Sequence, residues 1–261
     1  MHIKAKKHLG QHFLADLNIA HKIVEDFCAE IGEMSALEIG PGKGVLTKIL
    51  LEKNIKLSVS EIDRECIAFL TEEYPNLKIY PKDFLKMDLQ DVLSGEFGII
   101  GNFPYNISSQ ILFKTIDNRH QIPVLTGMFQ KEVAERIMAK HGNKTYGILS
   151  VITQAYYDVE YLFTVNENVF VPPPKVKSAV IMLKRKEHGL TDEVLPLAFL
   201  KKVVKMAFNH RRKTMKNSLR PFFNEQTADY DFWSMRPEQL SVDELIDLAK
   251  KLFVVDSLEK Q

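Results

Sequence analysis

The sequence predicts an α/β fold in which a doubly wound, mostly parallel sheet is followed by a small all-α domain. Three observations support this fold class. Short apolar segments rich in β-branched residues alternate with segments of helical periodicity as far as Leu183. A polar run, Lys184-Arg185-Lys186-Glu187-His188-Gly189, then ends the alternation. Only helical patterns come after it, so we expect domains at residues 1–186 and 187–261.

The first helix is predicted from apolar residues that recur at helical spacing, such as Ile19, Ile23, Phe27 and Ile31. The other helices follow from the same pattern; they are expected at residues 45–52, 109–116, 131–139, 147–156, 195–208, 214–222 and 242–253. The strands are expected at residues 36–39, 56–60, 77–80, 97–101, 124–129, 159–165 and 178–183. We expect the last two strands to form the antiparallel end of the sheet.

The composition is that of a globular protein with a substantial core, since 45% of the 261 residues are hydrophobic and 26% are charged. No apolar stretch reaches the roughly 18 residues that a membrane span requires. The residues Met1–Lys7 carry positive charge but neither the apolar segment of a secretory signal nor the pattern of a transit peptide. A cytoplasmic protein that contacts no membrane is therefore expected.

The cysteines and histidines indicate neither metal nor disulfide chemistry. Cys28 and Cys66 have no partner at metal or redox spacing, and each lies in an apolar-periodic stretch that favours core packing. The eight histidines show no metal-ligand pattern. We therefore expect no metal site.

The net charge of +1 conceals an uneven distribution of charge along the chain. The segment 200–220 carries eight basic residues and no acid, whereas the segment 229–261 carries eight acids and four bases. A basic segment of this kind is either a solvated helix face or a surface for an anionic partner.

A glycine-rich turn, Gly40-Pro41-Gly42-Lys43-Gly44, follows the first strand of the predicted sheet. Such a turn lets the backbone approach a ligand closely. The spacing differs from that of a dinucleotide-binding G-x-G-x-x-G, and Lys43 is followed by Gly44 instead of the Ser or Thr of a phosphate-binding loop. Glu38, two residues before the first glycine, makes the segment similar to the cofactor pocket of S-adenosylmethionine methyltransferases.

Two further acids lie at successive strand ends. Glu61 ends the second strand, where a carboxylate can accept both hydroxyls of a ribose. Asp83 follows the third strand and can accept the adenine amino group of the cofactor. Each acid alone is more often a solvated residue at a strand end. Three acids around one glycine turn favour a methyltransferase.

The segment Asn102-Phe103-Pro104-Tyr105 ends the fourth strand at the same edge of the sheet. The Asn102 side-chain oxygen and the Pro104 carbonyl can accept the two hydrogens of an adenine amino group, and Tyr105 can stack on the base. Phe170, before Val171-Pro172-Pro173-Pro174, can cover the opposite face of the base. The alternatives are an ordinary proline turn at residues 102–105 and a core phenylalanine at position 170.

With these residues identified, the chain closely resembles the KsgA (RsmA) family of small-subunit ribosomal RNA adenine N6,N6-dimethyltransferases. The resemblance runs almost from end to end. Its most specific segments are Leu9-Gly10-Gln11-His12-Phe13-Leu14 and Phe208-Asn209-His210-Arg211-Arg212-Lys213-Thr214. It also includes Glu61-Ile62-Asp63 and Gly101 to Ser108. Two positions differ from the commonest family form: His12 stands where the family often has Asn, and Phe103 stands where it often has Leu. We expect residue 103 to face the core.

The resemblance implies a Rossmann-like class I methyltransferase sheet and S-adenosylmethionine as methyl donor, without a metal. It implies dimethylation of two adjacent adenosines in the 3′-terminal hairpin loop of 16S rRNA, within an immature small subunit. A monomer is the default expectation. The implied cofactor contacts, with residues that adjoin them in the same motifs, are His12, Leu14, Glu38, Gly40, Gly42, Glu61, Ile62, Asp83, Phe84 and Asn102. On a methyltransferase, the basic segment 200–220 is expected to bind RNA phosphates, through Lys201, Arg211, Arg212, Lys213 and Lys216. Lys4, Lys6 and Lys7 are expected to add to this surface.

Two other functions are compatible with parts of this pattern. The related 23S rRNA adenine N6-methyltransferases that confer macrolide resistance share the Asn-x-Pro-aromatic motif, although the segment 208–219 favours the small-subunit family. A mainly non-catalytic ribosome-assembly or nucleic-acid-binding factor would not need Glu38, Glu61, Asp83 and Asn102 together.

We predict that neutralising Arg211, Arg212 and Lys213 together weakens binding to the small subunit and flattens the salt dependence of that binding. The reason is that cations on phosphates release counterions, so that affinity falls with salt in proportion to the number of contacts. A salt titration of subunit binding measures this slope. Binding that is unchanged across the titration would contradict an RNA surface in this segment.

Overall fold

A computed structural model describes residues 3–187, 189–210 and 212–258. By their internal contacts, the residues form two compact units: Met1–Ala134 with Val159–Arg185, and Glu135–Asp158 with Lys186–Gln261. The second break lies next to the expected boundary at residue 186. The segment 135–158, which the sequence analysis assigned to the first domain, groups with the C-terminal helices instead. The functions expected of the two domains stay predictions.

The first unit is built on a seven-stranded sheet with the strand order β4-β3-β2-β5-β6-β9-β7. Its strands are β2 (Ser35–Ile39), β3 (Leu57–Ser60), β4 (Lys78–Tyr80), β5 (Phe97–Asn102), β6 (Val124–Gln130), β7 (Tyr157–Val165) and β9 (Ser178–Arg185). Neighbouring strands from β4 to β6 are parallel, and β9 runs antiparallel to β6. This is the predicted doubly wound sheet, with β7 and β9 at the end where they were expected.

The helices of this part of the chain follow the strands, and all but α3 lie where the sequence predicts them. They are α1 (Leu17–Ile31), α2 (Val45–Glu52), α3 (Arg64–Glu73), α4 (Ser108–Asp117) and α5 (Lys131–Met138). Ala36 of β2 and Ile100 of β5 pack against α1 and α2 in one core. Their neighbours in the strands, Leu37 and Ile99, face the other side of the sheet and are also fully buried. Both faces of the sheet are therefore covered, as parallel sheets require.

Two elements of this unit were not predicted. The helix α3 buries only Cys66 and Leu70, so its apolar pattern is sparse. Asp63 caps it by accepting the backbone N–H of Glu65. A separate two-stranded sheet pairs β1 (Phe13–Leu14) with β8 (Phe170–Val171). Strands of two residues are too short to produce a periodic pattern.

Phe103 fixes the point where β5 ends. Its side chain is 1% exposed and packs edge-on against Phe129, with 5.2 Å between ring centroids. The prediction that residue 103 faces the core is therefore confirmed. The ring lies directly over glycines in β5 and β6, because a Cβ atom built on Gly127 would approach it to 2.1 Å. Phe103 thus anchors the turn from Asn102 to Tyr105 in the core.

The second unit is helical, with α6 (Ile148–Gln154), α7 (Leu197–Asn209), α8 (Met215–Ser218) and α9 (Val242–Leu258). Instead of the single helix expected at 214–222, the structure has the short α8 and a 3₁₀ turn, Arg220–Phe222. Pro221 explains the break, because proline has no N–H to donate and its ring obstructs the preceding turn. The core of this unit is aromatic; for example, the Tyr146 and Phe208 rings meet edge-on at 5.8 Å.

Among the described residues, no helix is both long enough and apolar enough to cross a membrane.

We predict that Gly127→Ala lowers the free energy of unfolding by about 3 kcal/mol, because the added methyl overlaps the Phe103 ring in a packed core. Gly147→Ala is the matched control: a Cβ there has no neighbour closer than 4.0 Å. Urea unfolding of both variants measures the difference. Equal midpoints for the two variants would show that Phe103 is not held tightly against β6.

Candidate active site

A cavity of ≈ 170 Å³ lies at the carboxyl ends of the parallel strands of the first unit. In open α/β sheets this is the edge where ligands bind. All ten residues predicted to bind the cofactor line it, as do Pro104 and Tyr105. Residues His8 to Leu14 close one side of the cavity.

The glycine turn after β2 forms one wall of the cavity in left-handed backbone conformations, with φ of +66° at Gly40 and +56° at Gly42. Side chains are disfavoured at such angles. A Cβ atom on Gly42 would lie 2.9 Å from the Phe13 ring, and one on Gly40 would lie 3.8 Å from the Pro104 ring. Gly40 therefore lies beside Pro104, and the absence of a side chain at Gly42 leaves room for the Phe13 ring.

Glu61 is buried at the end of β3 and is held by backbone N–H groups. Its Oε2 accepts from Gly42 at 3.0 Å, and its Oε1 accepts from Ile62 at 2.8 Å and from Asp63 at 2.9 Å. Burial raises the pKa of Glu61, and these three hydrogen bonds oppose the shift. Oε2, which accepts a single hydrogen bond, keeps a lone pair for a further donor.

Glu38 is 2% exposed at the end of β2 and accepts one hydrogen bond, from Thr47 Oγ1 at 2.6 Å. Burial raises the pKa of Glu38 to about 8, and the Thr47 hydroxyl only partly offsets this. Glu38 is thus a neutral carboxylic acid at neutral pH. It can donate a hydrogen bond as well as accept one.

Asp83, Phe84 and Ile62 form the side of the cavity near β3 and β4. Asp83 Oδ1 accepts the N–H of Leu85 at 2.9 Å, which turns the chain after β4. Phe84 is 3% exposed, whereas Ile62 is 48% exposed. A carboxylate between apolar side chains is suited to an aromatic ring that carries an amino group.

Asn102, at the end of β5, donates from Nδ2 to the backbone carbonyl of His12 at 2.9 Å. This bond fixes the orientation of the amide and leaves Oδ1 as its acceptor. His12 thus contacts Asn102 through its backbone carbonyl. Leu14, two residues later, is buried opposite Phe170 in the β1–β8 pair.

Tyr105 is held through both its hydroxyl and its ring. Its hydroxyl lies 2.5 Å from Ser178 Oγ, at the start of β9. The His12 ring stacks on it with 5.4 Å between centroids and 26° between planes, and His12 Nδ1 lies 2.8 Å from the Pro172 carbonyl. Burial raises the pKa of the Tyr105 hydroxyl. The Pro104 carbonyl accepts the N–H of Ile107 at 3.1 Å and keeps one lone pair for another donor.

Phe170 is the one predicted active-site residue that does not line the cavity. Its ring is 2% exposed and packs in the core formed by α1, α2 and the sheet. This is the position that the core-phenylalanine alternative predicts. A stacking role for Phe170 would require the ring to leave this core, and it stays an untested prediction.

The predicted RNA-binding residues lie in the second unit. Arg212, Lys213 and Lys216 are exposed, and Lys201 is half-buried on α7. Lys216 Nζ lies 4.1 Å from the centroid of the Phe223 ring. Arg211 falls outside the described residues.

One cluster of the first unit was not predicted: Lys6, which was expected only on the RNA surface, contacts Asp63, and so does Gln11. They form one hydrogen-bonded cluster beside the cavity. The motifs Gly10-Gln11 and Glu61-Ile62-Asp63 were noticed in the sequence, but nothing in either one indicates that it contacts the other.

The cavity residues fit S-adenosylmethionine. Glu61 and Asp83 supply acceptors for ribose hydroxyls and an adenine amino group, and Ile62 and Phe84 supply apolar surface. The glycine turn leaves room for the methionine part of the cofactor. The described residues contain no group of three or more His, Cys, Asp or Glu side chains that could hold a metal ion.

Comparison with known proteins gives consistent results along the chain. A family model described as Ribosomal RNA adenine dimethylase matches residues 2–252. A Ribosomal RNA small subunit methyltransferase A from Parabacteroides distasonis is 51% identical over 99% of this chain and 97% of its own. The protein of the same name from Flavobacterium johnsoniae is 54% identical over 96% of each chain.

Two solved structures share the fold over nearly the whole chain. A dimethyladenosine transferase from Plasmodium falciparum has a TM-score of 0.78 and 26% identity, covering 95% of this chain and 98% of its own. The 23S rRNA methyltransferase ErmE has a TM-score of 0.67 and 25% identity, covering 92% of this chain and 99% of its own. The fold of the chain is therefore that of the class I methyltransferases.

We predict that wild-type protein loses stability between about pH 5 and about pH 8 relative to Glu38→Gln. In this range the native protein keeps a proton on Glu38 that the unfolded chain releases, so rising pH favours unfolding. The expected difference in slope is about 1 kcal/mol per pH unit. Urea unfolding of both proteins across the range measures it. Parallel curves would contradict a neutral Glu38.

Proposed function

This chain belongs to the ribosomal RNA adenine dimethylase family, and from that membership we propose that it is a 16S rRNA adenine N6,N6-dimethyltransferase. It uses S-adenosylmethionine to methylate two adjacent adenosines in the 3′-terminal hairpin loop. The observation that carries the proposal is the fixed amide of Asn102, whose Oδ1 is left as an acceptor at the edge of the cofactor cavity.

The chain's own residues act on the amino group of the adenine. That nitrogen is a poor nucleophile because its lone pair is conjugated into the ring. Accepting its two hydrogens at Asn102 Oδ1 and at the Pro104 carbonyl favours a pyramidal nitrogen with an available lone pair. Tyr105, held by Ser178, orients the base from one face. Alignment of this kind contributes up to ~7–11 kcal/mol when reacting atoms are close to attack geometry.

When bound, S-adenosylmethionine supplies an electrophilic methyl group, so the protein needs no strong general base. The cavity residues hold the donor: Glu61 the ribose hydroxyls, Asp83 the adenine amino group, and Gly40 and Gly42 the methionine part. The neutral acid of Glu38 adds no negative charge beneath the cofactor. The proton leaves the adenine nitrogen after transfer.

The second methylation imposes a geometric requirement on the same acceptors. After one transfer, a single N–H remains on the adenine nitrogen, so Asn102 and Pro104 are no longer both satisfied. The monomethylated base must turn or shift so that its remaining hydrogen points to one acceptor. Phe103 is packed in the core beneath this turn, so the space for the methyl group is on the cavity side.

The substrate is an immature small ribosomal subunit in the cytoplasm, bound by a monomer, and the RNA is recognised as an exposed loop. Unpaired bases leave the stack at lower cost than paired ones, which suits a pocket that takes a single adenine. The residues for the phosphates are Lys201, Arg211, Arg212, Lys213 and Lys216.

Methylation of 23S rRNA is the second candidate, because ErmE shares the fold. The identity of 25% with that enzyme is about half the 51% and 54% found with the small-subunit methyltransferases. Primer extension across both rRNAs, after reaction with the purified protein, distinguishes the two candidates. Stops in 23S rRNA alone would favour the second.

We predict that Asn102→Ala lowers methyl transfer to undermethylated small subunits at least about 100-fold, because one acceptor of the amino group is lost. Incorporation of tritiated methyl groups measures the rate. Asn118→Ala is the matched control, since Asn118 caps α4 and does not line the cavity. Full activity of Asn102→Ala would show that the amide does not act on the adenine.

A further inference from the structure

The N-terminal strap, residues 6–14, covers one side of the cofactor cavity. Seven of its residues, His8 to Leu14, line that cavity. Its far end contacts both ligand sites. The His12 carbonyl orients Asn102, the His12 ring stacks on Tyr105, and Phe13 lies against the glycine turn at Gly42. The position of the strap therefore affects the cofactor and the target base together.

The near end of the strap is fastened to a buried carboxylate. Lys6 Nζ lies 2.5 Å from Asp63 Oδ1 and 3.0 Å from Glu65 Oε1. Gln11 Nε2 donates to Asp63 Oδ2 at 2.9 Å, and Gln11 Oε1 accepts the Lys6 N–H at 2.8 Å. The Asp63 side chain is fully buried, at 0% exposure, while that of Lys6 is 30% exposed.

Asp63 belongs to the same backbone segment as the proposed ribose acceptor. Its N–H donates to Glu61 Oε1, and its own carboxylate caps α3 through the N–H of Glu65. Burial alone would raise the pKa of Asp63, but the bonds from Lys6 and Gln11 outweigh it and lower that pKa. Asp63 is thus a buried anion, and Lys6 of the strap supplies a cation that balances its charge.

We propose that Lys6, Gln11 and Asp63 are positioning residues that clasp the strap over the cofactor and so set the Asn102 amide for transfer. The inference rests on the proposed function, because it assigns the clasp to the methyl-donor site. The clasp holds residues that adjoin the donor, yet none of the three is a proposed ligand contact. Opening it exposes the donor site to solvent and frees the His12 carbonyl from Asn102.

The inference is tested on the full chain with Lys6→Met and Gln11→Ala, which leave the Asp63 cap on α3 in place. Isothermal titration gives the Kd for S-adenosylmethionine, and steady-state assays on undermethylated subunits separate its KM from kcat. Each variant is expected to raise Kd and KM for the donor about tenfold, the effect of losing a hydrogen bond to a charged group.

Two controls separate the clasp from other effects of charge. Lys6→Arg keeps a cation for Asp63 and is expected to restore donor affinity. Lys7→Met removes the same charge from the neighbouring exposed residue and is expected to leave donor affinity unchanged. Urea unfolding without ligand shows whether each variant stays folded under the assay conditions. Lys6→Met is expected to lose some stability, because the buried Asp63 carboxylate loses its cation. Gln11→Ala keeps the Lys6–Asp63 ion pair and therefore separates the clasp from an effect on folding.

Donor affinity within twofold of wild type for both Lys6→Met and Gln11→Ala would overturn the clasp. An equal loss in Lys7→Met would do the same, since it would trace the effect to general charge. Should wild type itself bind the donor but methylate no rRNA, the proposed function fails. The donor Kd values of the variants would still decide whether the strap is clasped.

Discussion

The site depends on the hydrogen bond between the Asn102 side-chain amide and the His12 carbonyl, which lie 90 residues apart in sequence. An asparagine amide has one acceptor and two donors, and either end could face a ligand. Once Nδ2 donates to His12, Oδ1 becomes the end available to an incoming donor. The core packing of Phe103 fixes the backbone, and the strap fixes the carbonyl. Two distant segments thus decide the chemistry of one side chain.

Three buried acids lie in or beside the cavity, and the cost of burying each carboxyl group is offset in a different way. Glu61 is compensated by three backbone N–H groups, Asp63 by Lys6 and Gln11, and Glu38 by a single hydroxyl. A buried carboxyl with so little compensation keeps its proton. Negative charge therefore lies at the end of β3, on Glu61 and Asp63, where a ribose can donate to Glu61. Glu38, next to the glycine turn, adds none. Carboxyl groups thus serve here as ligand acceptor, helix cap and neutral acid.

The sequence predicted the sheet, most helices and the strand ends that carry Glu38, Glu61, Asp83 and Asn102, because apolar periodicity and glycine spacing are local signals. The helix α3 was not predicted because it buries only Cys66 and Leu70. The strands β1 and β8 were not predicted because two residues are too few to form a pattern. The clasp could not be predicted, because Asp63 lies 57 residues from Lys6 and 52 residues from Gln11 in the sequence, and only the fold brings them together. Phe170 shows a different difficulty: in sequence, an aromatic residue that stacks on a base cannot be distinguished from one that packs in the core.

The central claim is that the Asn102 amide presents its oxygen to the adenine. A crystal structure of the chain with S-adenosylhomocysteine and adenosine monophosphate tests this most directly. The account predicts Asn102 Oδ1 and the Pro104 carbonyl oxygen within about 3.2 Å of the adenine amino nitrogen. It also predicts that Nδ2 still donates to His12. An amide turned with Nδ2 toward the base, or an adenine bound away from residues 102–105, would contradict it.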